Sequence, residues 1–263
     1  MRQIIKCIRG FYMSLGMFCN IRLPFYIWDD RLAIHMITTL PLVGLIIGTL
    51  WWLCAILLTF LNIPIVLTAA VLCVALFLIT GFIHLDGYMD TEDAILSHRP
   101  LPDKLRILQD SNAGAFSVVS LCIMFILQFG AMYAALENGK YFAMLIVIAV
   151  LSRCCTAVIF ISLRHIPQCP YASMLTEKIS ISHKIFPFII SVTAIALSFL
   201  YAGFFGLAIS AAVILGYIAA ICRVFKSFKG ITGDLAGYAL VISELCGLIA
   251  FAVLPGVRNE LWF

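Results

Sequence analysis

From Met36 to Phe60 the chain runs through 25 residues without one charged side chain. At 1.5 Å per residue such a run crosses the hydrocarbon core of a bilayer as a helix, which satisfies its own backbone groups where no water can. Six more apolar runs follow at roughly 64–82, 115–136, 141–163, 186–203, 206–222 and 236–254. They predict an all-α polytopic membrane bundle of about seven transmembrane helices. The division between the fifth and sixth rests only on Gly203-Phe-Phe-Gly206. With 11% charged residues, against about 25% in soluble domains, no polar stretch is long enough to bury a core of its own. Residues 1–263 therefore read as one transmembrane domain. Residues 1–32, mixed apolar and basic, read as an N-terminal interfacial segment without a cleavable signal. Gly44 and Gly48 in the first span have the G-x-x-x-G spacing that lets another helix approach closely.

Basic residues alternate between loops. Five precede the first span, and three follow each of the second, fourth and sixth, while the opposite side holds only Lys140 and Arg258. Short cytoplasmic loops are enriched in Lys and Arg, so the N-terminus and the loop after the second span are expected to face the cytoplasm of a cell-membrane protein. The net charge of +4 follows from this topology, and no basic-aromatic stripe suggests nucleic acid. The ten cysteines form no C-x-x-C pair and read as small buried hydrophobes.

Against this background Gly81-Phe-Ile-His-Leu-Asp-Gly-Tyr-Met-Asp-Thr-Glu-Asp93 places four carboxylates within eight residues. Asp86, Asp90 and Asp93 stand at i, i+4 and i+7, so on a helix they project from one stripe about 6 Å apart. Each such like-charge pair costs roughly 3 kcal/mol at an effective dielectric near 20. A hard divalent cation such as Mg²⁺, keeping some waters and taking a substrate phosphate, resolves that repulsion; a solvated acidic helix start is the alternative. Glu92 falls on another face, and its neutralisation is expected to be mild. His84, two residues before Asp86, can serve as ligand, general base or partner of Asp86.

The stretch 82–114 reads as a cytoplasmic connection of two short helices, the second an amphipathic one with Leu101, Leu105 and Leu108 on its apolar stripe. Ahead of the last span, Lys229-Gly-Ile-Thr-Gly-Asp234 offers glycines, a hydroxyl and a lysine for a phosphate. Thr232 and Asp234 are equally suited to capping a helix. Arg153 and Glu244 fall inside spans, each about ten residues from the cytoplasmic end and so roughly 15 Å deep. Both should face the interior and pair, or Arg153 should bind an anion at the floor of a polar cavity.

These residues resemble the cobalamin synthase family, the adenosylcobinamide-GDP ribazoletransferases. His84-Leu-Asp-Gly87 with Asp90 and Asp93 resembles the family's H-L-D-G-x-x-D-x-x-D, and Asp110-Ser-Asn-Ala-Gly114 its D-S-R-x-G. Ile21-Arg-Leu-Pro24, Pro41-Leu-Val-Gly44, Leu151-Ser-Arg153 and Gly230-Ile-Thr-Gly-Asp234 with Glu244 follow in family order. Asn112 stands where the family usually has Arg, and Val241 where many members have Glu.

The resemblance implies a Mg²⁺-dependent transferase of vitamin B12 assembly. The α-ribazole unit, usually as its 5′-phosphate, attacks adenosylcobinamide-GDP and GMP leaves. By position it implies catalytic roles for Asp86, Asp90, Asp93 and His84, and metal ligation by Asp86, Asp90, Asp93 and Asp110. Substrate contacts are expected from Arg22, Ser111, Arg153, Lys229, Thr232 and Asp234. The expected partners are the two substrates, the lipid bilayer and, for the oligomeric state, a further copy of the chain. A CDP-alcohol phosphotransferase would use similar chemistry, but the A-R dipeptide expected after its D-G is replaced by Tyr88-Met89. A secondary transporter would place its polar groups at the midplane of repeated halves, and no repeat is evident.

Overall fold

The computed structural model describes residues 2–110, 112–166 and 179–253, which are helical apart from turns, connecting segments and one isolated bridge. In chain order the helices are α1 (Arg2–Phe18), a 3₁₀ turn (Asp30–Leu32), α2 (Ala33–Thr38), α3 (Leu40–Phe60), α4 (Ile65–Thr80), α5 (Ile83–Leu96), α6 (Leu101–Ile107), α7 (Ala115–Glu137), α8 (Met144–Ser162), α9 (Ile181–Phe228) and α10 (Gly233–Val253).

Apolar residues on all sides of a helix mean burial in protein or in lipid, and the structure separates the two cases. α8 and α10 are 72% and 61% buried within the protein over their most apolar stretch, whereas α3 and α7 are only 33% and 28% buried. α8 and α10 therefore form the centre. The outer helices turn side chains such as Leu53, Leu57, Val71, Ile123 and Ile126 outward, as a multi-pass membrane protein does. The cysteine expectation holds for Cys19, Cys73 and Cys154 but not for Cys7, Cys122 and Cys222, which lie exposed on outward faces.

By length and composition five described helices can span a bilayer, or six if the bent pair α4–α5 counts as one. The expectation of seven depends on dividing α9, whose 48 residues contain one non-helical residue, Gly203 (φ 57°, ψ −141°). Twelve residues of continuous helix would separate Ser198 from Ser210 by about 18 Å. Their hydroxyl oxygens lie 3.0 Å apart, so α9 doubles back at Gly203. A Cβ at Gly206 would collide with the Ser198 carbonyl, which shows how closely the two arms cross.

Gly44 and Gly48 do what their spacing predicts. Added Cβ atoms would stand 2.7 Å from the Ala149 carbonyl oxygen and from the Ile146 Cα, so α3 crosses α8 backbone against backbone. α1 buries Met13 and Ser14 and leaves Ile4, Ile5 and Ile8 exposed, the two-sided pattern of an interfacial helix.

The turn that positions the acidic residues lies between α4 and α5. Gly81 (φ 66°) and Phe82 (φ 65°) are both left-handed, and the axis swings by 97°. The Gly81 N–H donates to the Leu78 carbonyl and the Phe82 N–H to the Phe77 carbonyl, at 3.3 and 3.0 Å, which is a Schellman ending. Asn20, just beyond α1, adds bonds from its amide N–H to the Ile79 carbonyl and from its side chain to the Leu78 carbonyl. The Phe77, Leu78 and Ile79 carbonyls at the end of α4 are thus satisfied without water.

Candidate active site

α5 is two-faced. His84, Leu85, Gly87, Tyr88, Thr91, Glu92, Ala94 and Ile95 are buried, whereas Asp86 is exposed and Asp90 and Asp93 are half-buried. The three aspartates share the outer stripe, as the i, i+4, i+7 spacing requires. Opposite them Gly87 packs on the first turn of α10, where an added Cβ would stand 2.8 Å from the Asp234 Cα. That contact brings Asp234, itself exposed, to the same face.

The electrostatics record the convergence. Burial first, and then the charges of Asp86, Asp234, Asp93 and Asp110, push the Asp90 carboxyl up to about 7. Carboxylates from α5, the loop after α6 and α10 thus all act on Asp90. Among the described residues no three His, Cys, Asp or Glu side chains come close enough together to hold a metal ion by themselves.

Asp110 is exposed, and its Oδ1 accepts from the Asn112 backbone N–H (3.0 Å) and side-chain amide (2.8 Å). These bonds hold its carboxyl below the usual range. Asn112, standing where an arginine was expected, thus directs its donors at Asp110. Gly114 lies against Asp93, and a Cβ there would collide with both carboxylate oxygens. Ser111 lies outside the described residues.

His84 departs from expectation. It is buried, its ring stacks on Phe18 at 5.6 Å, and its Nε2 has no hydrogen-bond partner among the described residues. Two residues along a helix turn a side chain by about 200°, so His84 points into the junction of α1 with α10 while Asp86 borders open space. His84 thus lies off the stripe of Asp86, Asp90 and Asp93 and lines a small cavity with Gly233, Asp234 and Gly237.

Arg153 also departs from the substrate-contact expectation. It is fully buried, and its Nη1 donates to Glu244 Oε1, to Ser152 Oγ (3.0 Å) and to the Ala149 carbonyl (3.2 Å). The expected pairing with Glu244 is present, and the pair lies between α8 and α10 rather than on the acidic face.

Thr232 caps α10: its Oγ1 accepts from the Leu235 N–H at 3.3 Å and its carbonyl from the Ala236 N–H at 3.1 Å. The loop before it is held by a bridge in which the Ile166 N–H donates to the Ile231 carbonyl and the Ile231 N–H to the Arg164 carbonyl. Lys229 is exposed in a left-handed conformation (φ 61°) at the end of α9. Arg22 is exposed two residues after Asn20, which packs beside Gly81. A cavity of about 490 Å³ opens there beside Asp86, between Cys19 and Asn20 on one side and Thr80, Gly81 and Phe82 on the other.

Glu92 falls on another face, as its position predicts, but it is not a free side chain. It is buried and accepts a two-pronged ion pair from Arg223 of α9, Nη1 to Oε1 at 2.8 Å and Nη2 to Oε2 at 3.1 Å. The signal was present in the sequence. Leu85, Tyr88, Glu92 and Ile95 recur at i, i+3, i+7 and i+10, the apolar stripe of α5, and a carboxylate on such a stripe needs a cation.

Comparison with known proteins gives one consistent result. The family model described as Cobalamin-5-phosphate synthase matches residues 10–252. A Clostridium botulinum (strain Alaska E43) protein named adenosylcobinamide-GDP ribazoletransferase is 40% identical over 92% of this chain and 96% of its own length. Proteins of the same name from Clostridium perfringens (strain ATCC 13124) and Acinetobacter baumannii are 38% and 33% identical, over 92% and 81% of this chain. No solved structure matches.

Proposed function

Because the chain belongs to the cobalamin-5-phosphate synthase family, we propose that it is an adenosylcobinamide-GDP ribazoletransferase whose reaction takes place on the acidic face of α5. A hydroxyl of α-ribazole, or of its 5′-phosphate, attacks the phosphorus that bears cobinamide. A new P–O ester bond forms, the P–O bond to GMP breaks, and the hydroxyl proton leaves to a carboxylate oxygen of the same face. The observation that carries this reading is the convergence of Asp86, Asp90 and Asp93 with Asp110 and Asp234, whose charges add to burial in raising the Asp90 carboxyl to about 7.

Hard oxygen donors with excess negative charge fit Mg²⁺. Asp86, Asp90, Asp93 and Asp234 would hold it, some of them through bound water, with the diphosphate completing the shell, and Asp110 stands nearby. Bound there, Mg²⁺ supplies charge neutralisation of the diphosphate and of the leaving GMP oxygen. The residues do the rest. α5, bent 97° from α4, presents its aspartates at the open side, and Gly114 leaves the space that Asp93 occupies. Lys229 and Arg22 are the cations proposed to meet phosphate, and the 490 Å³ cavity beside Asp86 is within the range of small-molecule sites. Thr232 acts through the α10 cap.

Full-length protein incubated with adenosylcobinamide-GDP, α-ribazole 5′-phosphate and Mg²⁺ should release GMP, and a chelator should stop it. No GMP, or equal release without a divalent cation, overturns the respective part of the reading.

We also propose that this face lies on the cytoplasmic side of the cell membrane, which the bias of Lys and Arg to one set of loops supports. A thiol at exposed Gln109, in a variant lacking the native cysteines, should react with an impermeant reagent in inverted vesicles and not in intact cells. Labelling confined to intact cells reverses the topology.

A further inference from the structure

The buried stripe of α5 is fastened to three other helices. Arg223 Nη1 donates to the Tyr238 hydroxyl of α10 at 2.7 Å as well as to Glu92. The Tyr238 ring stacks on Tyr88 of α5, with centroids 5.8 Å apart and planes 18° apart, and the Tyr88 hydroxyl donates to the Ser120 carbonyl of α7 at 3.2 Å. Arg223 therefore ties α9 to α5 and α10 at once. Glu92 stands between Asp90 and Asp93, and Tyr238 stands one helical turn beyond Asp234. Each anchor lies within a turn of a carboxylate on the acidic face.

We infer that Arg223 is a positioning residue for that face: by gripping Glu92 and Tyr238 together it fixes the rotation of α5 against α10, and so the spacing of Asp86 and Asp90 from Asp234. The inference rests on the proposed metal reading of those aspartates. Geometry argues against a merely adhesive role. The guanidinium fork meets both oxygens of Glu92, which fixes direction as well as distance. A helix advances 100° per residue, so a turn of α5 by a fraction of that angle carries the aspartates away from α10. Nη1 and Nη2 make three bonds within the protein, so the fork is held in place although the side chain is 42% exposed, and the response of KM separates positioning from substrate contact. Without Arg223, the Glu92 carboxylate would be a sixth negative charge near the five, with every reason to swing toward water.

The test uses the full-length protein in detergent and reads Mn²⁺ binding from the loss of the free-ion EPR signal, alongside kcat, KM and thermal midpoint. Arg223→Gln should weaken Mn²⁺ binding and lower kcat, each by about tenfold, with KM for adenosylcobinamide-GDP within about twofold of wild type. Arg223→Lys, which keeps the charge but not the fork, should fall between. Glu92→Gln with Arg223→Gln should be no worse than Arg223→Gln alone, since no lone carboxylate remains. Tyr238→Phe removes one hydroxyl only, and should shift Mn²⁺ affinity by about threefold even if Arg223→Gln fails to fold. Unchanged Mn²⁺ affinity with a raised KM would make Arg223 a substrate contact. Losses of Mn²⁺ binding that track the folded fraction would make it structural only. Either result overturns the inference, as does a wild-type chain that binds no Mn²⁺. A wild-type chain that binds Mn²⁺ but releases no GMP removes the ribazole-transfer reading and leaves the Mn²⁺ series to decide the role of Arg223.

Discussion

The molecule treats charge in two opposite ways. Inside, Arg153 meets Glu244 and Arg223 meets Glu92, so each buried carboxylate has its own guanidinium. Around the outer stripe of α5, Asp86, Asp93, Asp110 and Asp234 all raise the Asp90 carboxyl, and among the described residues none of the five aspartates has an ion-pair partner. Desolvation explains the first pattern, because a lone charge in a low-dielectric interior is too costly to keep. It cannot explain the second. The Mg²⁺ that we propose to bind there would offset the repulsion that the protein itself leaves uncompensated. Charges matched within the chain therefore mark architecture, and charges left unmatched on an open face mark chemistry.

The largest expected effect breaks the comparison if it fails. Asp86→Asn, Asp90→Asn and Asp93→Asn should each lower GMP release by about 100-fold or more, with normal membrane insertion and thermal midpoint, because each removes charge without opening a cavity. Combined, the losses should be far from multiplicative, since the residues act as one unit. Near-normal rates in the three variants, measured at saturating substrate, would place the chemistry elsewhere.

The buried pairs should respond in stability first. Arg153→Met alone leaves Glu244 uncompensated and should cost about 3–5 kcal/mol in unfolding free energy. Arg153→Met with Glu244→Met should cost clearly less, because neither charge then remains. Additive single and double values in a denaturant series would show that the two residues do not depend on each other, and would remove the contrast with the open face.

Which of these features could be read from sequence follows from the range of the interaction. The aspartate stripe and the two-helix connection were legible because helical periodicity acts over a few residues. So was the Arg153–Glu244 pair, because two charges at one depth in apolar spans have few other choices. The 97° bend that lays α5 against α10 was not, nor was the Asn20 cap on α4, since both need contacts between residues far apart in the chain. Arg223 and Glu92 are 131 residues apart. The apolar stripe announced that Glu92 needed a cation but not which one. Nearness in sequence to Asp86 did not show which way His84 faces, because a helix places i and i+2 on opposite sides, and its neighbours Phe18 and Asp234 are far away in the chain. The reversal expected at Gly203-Phe-Phe-Gly206 was legible because glycine tolerates the positive-φ backbone that the turn needs.

The smallest expected effect sharpens the comparison by adding a charge. Asn112 lies on the open side, where its amide and backbone N–H both bond Asp110 Oδ1. Asn112→Arg keeps the backbone bond, which needs no particular side chain, and brings a guanidinium to a face that has five carboxylates and awaits a diphosphate. An exposed charge pair contributes at most about 1 kcal/mol, which is roughly a fivefold change in an equilibrium constant. The variant should therefore lower KM for adenosylcobinamide-GDP by about two- to fivefold in low salt and leave the thermal midpoint unchanged. The gain should shrink at about 1 M salt, where the Debye length falls to roughly 3 Å. The same substitution also tests the alternative that Asp110 itself holds the metal. An arginine competing for that carboxylate would then raise the Mg²⁺ concentration needed for half-maximal rate, whatever it did to KM. A lowered KM with an unchanged Mg²⁺ requirement places Asp110 at the edge of the acidic face, where it steers substrate, and leaves the cation to Asp86, Asp90, Asp93 and Asp234. A KM that does not respond to salt would mean that the added charge never meets the diphosphate, and that the open face does not extend to the loop after α6.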